Sequence, residues 1–441
     1  MSFSLNGVHV PHRKNTADMV PVRMDVPKTV VLLTSMHIGK PATPVVKVGD
    51  HVDVGTLVAE QNGFISSPVY SSVSGTVKKI EDTLLSNGTY APAVVVESDG
   101  LQTQDPTIAP PEISGYDDFI AAVKKSGIVG LGGAGFPTYV KLDVKDTSKI
   151  QEVIINSAEC EPYITSDTRT MIDDAENIDY AISLFEKYLG VKKTIIGIEA
   201  NKKKAIEKMK EIAAKNPRVE VKVLPSIYPQ GGEKVLIYHT TGKVVPAGKL
   251  PLDVGSVVCN CTTMSAIAKF VKTGIPLTEK CITVDGSAVK EPKNVIAPIG
   301  TPISEVFAFC GGFKSEPKKV LYGGPMMGIS VPNLDSPILK NTNAILAFDE
   351  KDAKRPKSTQ CIHCGMCVSH CPVNISPMGI AKAYKNGDAE TLKKLRVDVC
   401  MECGCCSYIC PAKRPLVETN KMAKTMLREY LNAQKEKEGK K

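Results

Sequence analysis

Two copies of one cysteine spacing, CIHCGMCVSHCP from Cys361 and CMECGCCSYICP from Cys400, constrain this chain more than any other feature. Each reads C-x2-C-x2-C-x3-C-P, with Cys361, Cys364, Cys367 and Cys371 in the first and Cys400, Cys403, Cys406 and Cys410 in the second. Three thiolates two residues apart wrap one face of a four-iron cubane. The fourth, before proline, leaves its loop and reaches the neighbouring cluster. The spacing predicts two 4Fe-4S clusters with crossed ligation, one held by Cys361, Cys364, Cys367 and Cys410 and the other by Cys400, Cys403, Cys406 and Cys371. Structural zinc knuckles also use C-x2-C, but two complete copies, each with proline after the last cysteine, favour iron-sulfur. Cys405, between ligands, is read as a packing neighbour. Cys160, Cys259, Cys261, Cys281 and Cys310 are scattered and read as small apolar residues.

A chain of 441 residues that is 42% hydrophobic has room for three or four domains with real cores. The opening MSFSLNGVHVPHRK has no apolar h-region, and the longest apolar runs, such as TVVLLTSM at 29–36, fall far short of the ~20 residues of a spanning helix. The expectation is a chain that is neither exported nor membrane-spanning by itself, whose cysteines serve redox centres rather than disulfides. The net charge of +8 is concentrated, residues 351–441 holding 18 Lys/Arg against 9 Asp/Glu. Two cubanes with four thiolates each bring roughly −2 apiece and offset about half of that excess, and the terminal LREYLNAQKEKEGKK reads as a solvated tail. Basic residues without interleaved aromatics make no stacking surface, so no nucleic-acid partner is expected.

Upstream, SGIVGLGGAGFPTYVKL at 126–142 contains a G-x-G-x-x-G in Gly130, Gly132 and Gly135. A dinucleotide-binding turn needs a strand before these glycines and a helix after them. Here Ser114, as a cap with Asp117 behind it, and the apolar Phe119, Ile120 and Val123 predict a helix entering the loop, ended by Gly127. Pro137 leaves space for little more than a short turn afterwards. From about 115 to 270 the strands EVIIN, TIIGIEA and VEVKVL alternate with helices around 178–188 and KKKAIEKMKEIAAK. That is α/β organisation, with functional loops expected at strand ends. INSAECEPYITSD, YPQGGEKVLIYHTTG and VVCNCTTMSAIAKF all lie at such ends.

Taken together, GLGGAGFPTYVKL, INSAECEP, YPQGGEK and CNCTT resemble the FMN- and NADH-binding domain of the flavoprotein subunit of respiratory complex I. With the two-cluster tail, the whole chain resembles the RnfC family, peripheral NADH-oxidising subunits of the Rnf electron transport complex. The resemblance implies a multidomain α/β chain. A barrel-sandwich domain of the biotinyl/lipoyl type would cover 1–112, without an attachment lysine at its QNGFISSPVYSS tip and so with a docking or structural role. An FMN/NADH-binding α/β domain would follow at 113–273, an SLBB β-grasp domain at 274–345, and a helical two-cluster ferredoxin-type domain with a basic tail at 346–441.

Position by position, the resemblance implies that Gly130, Gly132 and Gly133 line the flavin, with Lys141 as a cation for its phosphate and Phe136 near the nicotinamide. Asn156 and Glu159 match flavin contacts and Glu161 an NADH contact. Tyr228, Gly231 and Glu233 fit the third loop, and Asn260 and Thr263 the loop and helix start at the phosphate end. Leu131 stands where complex I flavoproteins usually carry arginine and Ala158 where they carry aspartate, so those two contacts are absent. No side chain is assigned as catalytic, because the implied hydride acceptor is non-covalent FMN, with NADH as substrate. Single electrons would then pass through the two clusters to other subunits of the membrane-bound complex, especially its ferredoxin-like iron-sulfur subunit, on the cytoplasmic side. An RnfC-like cobalamin reductase and a non-catalytic iron-sulfur scaffold remain alternatives on sequence alone.

Overall fold

In the computed structural model, which describes residues 6–438, four units follow one another along the chain. The expectations for 1–5 and 439–441 lie outside the described residues. In the first unit, one sheet sets Thr29–Leu33, Tyr90–Ser98, Gly75–Leu84 and His51–Val52 side by side, and a smaller one sets Thr43–Pro44, Leu57–Glu60 and Val69–Tyr70. Strand side chains alternate between faces, and Val30, Leu32, Val58, Val77, Val94 and Val96 share one buried core. The QNGFISSPVYSS tip is docked on the next unit. Gln61 Nε2 donates to the Tyr139 hydroxyl (2.6 Å), Ser67 Oγ to the Gly127 carbonyl (3.1 Å), and the rings of Phe64 and Tyr139 meet edge to face.

The second unit is a parallel sheet in the order Val219–Leu224, Thr194–Glu199, Glu152–Ser157, Ser256–Asn260. Three of its strands are buried on both faces, as a sheet covered by helices on both sides requires, while the edge strand Val219–Leu224 alternates with Glu220 and Lys222. Ile154, Ile195 and Val258 pack with Leu236 and Ile237 of the helix Glu233–Thr241. Val153, Ile155, Ile196 and Val257 join the larger core under the helices Ala175–Leu189 and Cys261–Thr273. The helix before the glycine loop runs Tyr116–Lys125, but Ser114 does not cap it. Gly115 holds the cap position without a side-chain bond, and the Ser114 N–H donates to the Asp118 carboxylate (3.0 Å). Ser114 stands one residue too early to reach the free amides of the first turn.

The third unit is a mixed sheet around the parallel neighbours Glu279–Asp285 and Ala344–Phe348, with the helix Ile303–Phe309 packed against it through Ile303, Val306 and Phe307. Its edge strand is Val22–Arg23, donated by the N-terminal segment. That segment pairs Val8 with Tyr228 of the second unit before it joins this sheet.

The last unit is helical, with Pro377–Lys385 and Ala389–Lys394 between the cysteine motifs. Residues 427–438 of the stretch read as a solvated tail belong to a helix, Leu416–Glu438. Leu416, Asn420, Ala423 and Leu427 are buried at helical spacing, and Tyr430 and Leu431 continue the stripe partly buried. The charges occupy the other face.

Candidate functional site

The parallel sheet changes direction between Glu152–Ser157 and Ser256–Asn260, since the chain winds outward from the first strand and returns on its other side. Crevices at the carboxyl ends of strands at such a reversal are where open α/β sheets bind ligands. Asn156 and Asn260 are register partners there. Asn260 caps the helix Cys261–Thr273, its Oδ1 accepting from the Thr262 and Thr263 amides, while its Nδ2 donates to Asp167 (2.7 Å). Asn156 Nδ2 donates to the Gly231 carbonyl (2.9 Å).

The glycine loop closes on itself, Gly130 N donating to the Phe136 carbonyl (2.8 Å) and Gly135 N to the Gly130 carbonyl (3.1 Å). A helix enters it and only the five-residue helix Thr138–Leu142 leaves it, so it is not a dinucleotide-binding turn of the strand–helix kind. Gly132, Gly133 and Ala134 are exposed, whereas Leu131 is buried with its N–H bonded to Thr263 Oγ1 (3.0 Å). A Cβ on Gly132 would stand 3.0 Å from Asn260 Nδ2, and Gly133 adopts φ +120°, a conformation open to glycine. The loop thus offers bare backbone on its open side, which suits a flat ring. Phe136 is half-buried beside it. Lys141 Nζ pairs with Glu233 (2.7 Å) and donates to the Val258 carbonyl (2.9 Å), which brings two of the expected residues together at the strand ends.

The loop after Glu152–Ser157 is pinned from three directions. Glu159, at φ +48°, accepts from the Asp167 and Thr168 amides (2.7 and 3.2 Å) and so caps the helix Ser166–Asp173. Glu161 accepts from the Met326 and Met327 amides of the β-grasp unit (3.0 and 2.8 Å), and burial pushes its carboxyl up to about 7. Gly324 permits that approach, because a Cβ there would fall 2.2 Å from Glu161 Oε2. Lys14 Nζ, from the N-terminal segment, donates to the carbonyls of Glu159, Glu161 and Ile164 (2.8, 2.8 and 2.6 Å). Nothing in the sequence flags Lys14, which lies 145 residues from Glu159 and in no motif. The PMM turn at 325–327 is equally silent in the sequence.

Gly231 N donates to Cys160 Sγ (3.3 Å), pressing the third loop onto this one. Tyr228, 2% exposed, donates its hydroxyl to the Cys403 carbonyl (2.7 Å). Cys405 Sγ points back at the Tyr228 carbonyl (3.8 Å), as a packing neighbour would. The second cysteine motif therefore sits directly against the flavin-type unit.

The eight motif cysteines fall into two groups across the motifs. Cys371, Cys400, Cys403 and Cys406 line one cavity; Cys361, Cys364, Cys367 and Cys410 line the other. Each cavity is lined by three thiols of one motif and the last thiol of the other, the donor set of a four-iron cluster. Of the scattered cysteines, Cys259, Cys261 and Cys310 are buried, and Cys160 and Cys281 partly so.

Four domain families match the chain in order: the RnfC barrel sandwich hybrid domain over residues 2–101, the Nuo51 FMN-binding domain over 123–269, the SLBB domain over 281–330 and the 4Fe-4S dicluster domain over 360–413. The chain is 44% identical to a subunit of the Na(+)-translocating ferredoxin:NAD(+) oxidoreductase complex of Acetobacterium woodii, covering 85% of this chain and 86% of that protein. It is 41% identical to the corresponding subunit of the proton-translocating ferredoxin:NAD(+) oxidoreductase complex of Clostridium ljungdahlii, covering 84% and 82%. It is 39% identical to the corresponding subunit of the ion-translocating oxidoreductase complex of Rhodobacter capsulatus, covering 97% and 84%. Among solved structures, an NAD+-reducing [NiFe]-hydrogenase in the air-oxidized state shares the fold at TM-score 0.50 and 18% identity, over 70% of this chain and 63% of that one.

Proposed function

The chain belongs to the RnfC family, whose members are subunits of ion-translocating ferredoxin:NAD(+) oxidoreductase complexes, and from that membership we propose how its residues divide the work of moving electrons from NADH. It is an oxidoreductase subunit with FMN and two 4Fe-4S clusters. FMN supplies the exchange between a two-electron hydride and the single electrons that iron-sulfur clusters accept.

Gly130, Gly132 and Gly133 form the platform for the flavin ring, with Phe136 at its edge. Asn156, Asn260 and Thr263 hold the strand ends and the helix start beneath it. Lys141 and Glu233 form a paired charge at the phosphate end. Glu159 and Glu161 shape the nucleotide loop, Glu161 by tying it to the β-grasp unit. Tyr228 and Gly231 hold that loop against the ferredoxin unit. Cys371, Cys400, Cys403 and Cys406 hold the inner, flavin-side cluster, and Cys361, Cys364, Cys367 and Cys410 the outer one. The observation that carries this order is the Tyr228 hydroxyl on the Cys403 carbonyl, which joins the flavin-type unit to the inner set.

Among the described residues no helix is long and apolar enough to cross a membrane. As a subunit of a membrane-associated complex the chain is peripheral, and we place it on the cytoplasmic face, where NADH is available. The order of the clusters is tested by anaerobic titration with NADH, following the flavin band and the two clusters separately by spectroscopy. Cys410→Ala, although it lies in the second motif, should remove the outer cluster and leave the inner one reducible. Cys371→Ala should remove the inner cluster while NADH still bleaches the flavin. The reverse pattern would overturn both the crossing and the order.

A further inference from the structure

Lys280 belongs to the β-grasp strand Glu279–Asp285, yet its Nζ crosses into the neighbouring unit and donates to the Leu131 carbonyl at 2.6 Å. The side chain is 4% exposed. An ammonium has three N–H donors, and the Leu131 oxygen takes one. Two donors are left in a dry place, where unmade hydrogen bonds are expensive.

Other lysines buried in the described residues are spent. Lys340 donates to Ser67, Pro68 and Gly127, and Lys202 pairs with Glu199 at 2.9 Å. Lys141, the cation that the resemblance assigns to the flavin phosphate, is paired with Glu233. Leu131 lies between Gly130 and Gly132, and residues 126–137 hold no Lys or Arg, so the loop has no cation of its own. Its N–H is held by Thr263 and its carbonyl by Lys280, which fixes the peptide between Gly130 and Gly132 at both ends.

We propose that Lys280 is a flavin-binding residue, presenting its remaining N–H donors to FMN and supplying from the β-grasp unit the positive charge that the glycine loop lacks. This rests on the glycine loop being the FMN site, and wild-type protein serves as the control for that reading: failure of the wild type to rebind FMN would sink the reading itself, not Lys280 alone.

The test uses the full chain with its clusters reconstituted, stripped of flavin and titrated with FMN and, separately, with riboflavin. Lys280→Met should weaken FMN binding by roughly ten- to a hundredfold, the range for a lost hydrogen bond to a charged group, with iron content unchanged. Lys280→Arg should restore much of the loss. A loss for FMN but not riboflavin supports Lys280 at the phosphate. An equal loss for both, with a lowered flavin reduction potential, supports Lys280 at the ring. If Lys280→Met fails to fold, Lys280→Gln, which keeps a donor but no charge, gives the same readings. Unchanged affinity for both flavins and an unchanged potential, in a folded variant of lower thermal stability, would make Lys280 a packing cation satisfied by water and overturn the proposal.

Discussion

At Gly132 two demands meet, since the residue is exposed on the loop and a Cβ there would crowd Asn260, the residue that caps Cys261–Thr273. Gly132→Val is expected to yield protein that retains about eight irons, the content of two cubanes, but no flavin. Acid extraction of flavin together with an iron assay checks this. Full flavin with failure only at NADH would mean that the loop binds the dinucleotide instead. Glu161 makes a different prediction. Its carboxyl titrates near 7 in the folded protein against an ordinary 4.5, so between those values the folded state binds more protons than the unfolded state. Stability then falls as pH rises through that window and levels off above it. Glu161→Gln should remove this slope, measured as the thermal midpoint between pH 5 and 8. A slope that survives the substitution would assign it to another group.

Among the elements, the long helix Leu416–Glu438 shows what the sequence concealed. Its charged residues are as many as the apolar ones, and LREYLNAQKEKEGKK taken as a block looks solvated, yet the residues that matter recur at intervals of three and four and begin upstream of that block. Leu427→Ala should destabilise the ferredoxin unit by about 2–5 kcal/mol, the cost of emptying a buried leucine site, seen as a lower denaturant midpoint for cluster loss. By contrast, the helices Pro377–Lys385 and Ala389–Lys394 begin at marks that a sequence carries, a proline in the first turn and the Asp388 cap. The glycine loop was legible too, since the helical period before it excluded a strand. The supposed cap at Ser114 was not, because capping depends on where the first turn begins, and a one-residue shift is invisible in a pattern.

Over the whole molecule, order along the chain was readable and contact between units was not. The four domain families follow one another as the motifs suggested. Lys14 on Glu159 and Glu161, Lys280 on Leu131, and Tyr228 on Cys403 join residues more than a hundred positions apart and belong to no local period. Such ties hold the nucleotide loop, the glycine loop and the inner cysteines in one frame. The frame is lopsided. Cys371, Cys403 and Cys406 of the inner set are buried, Cys403 beside Tyr228, whereas Cys364 of the outer set is exposed and its neighbour Ile362 is 66% exposed. Corrosion is therefore expected to have a direction, entering in air at the exposed Cys364 of the outer set. Brief aerobic exposure should strip iron from the outer set while the inner set keeps its spectrum, leaving a protein that still takes electrons from NADH but can no longer hand them on.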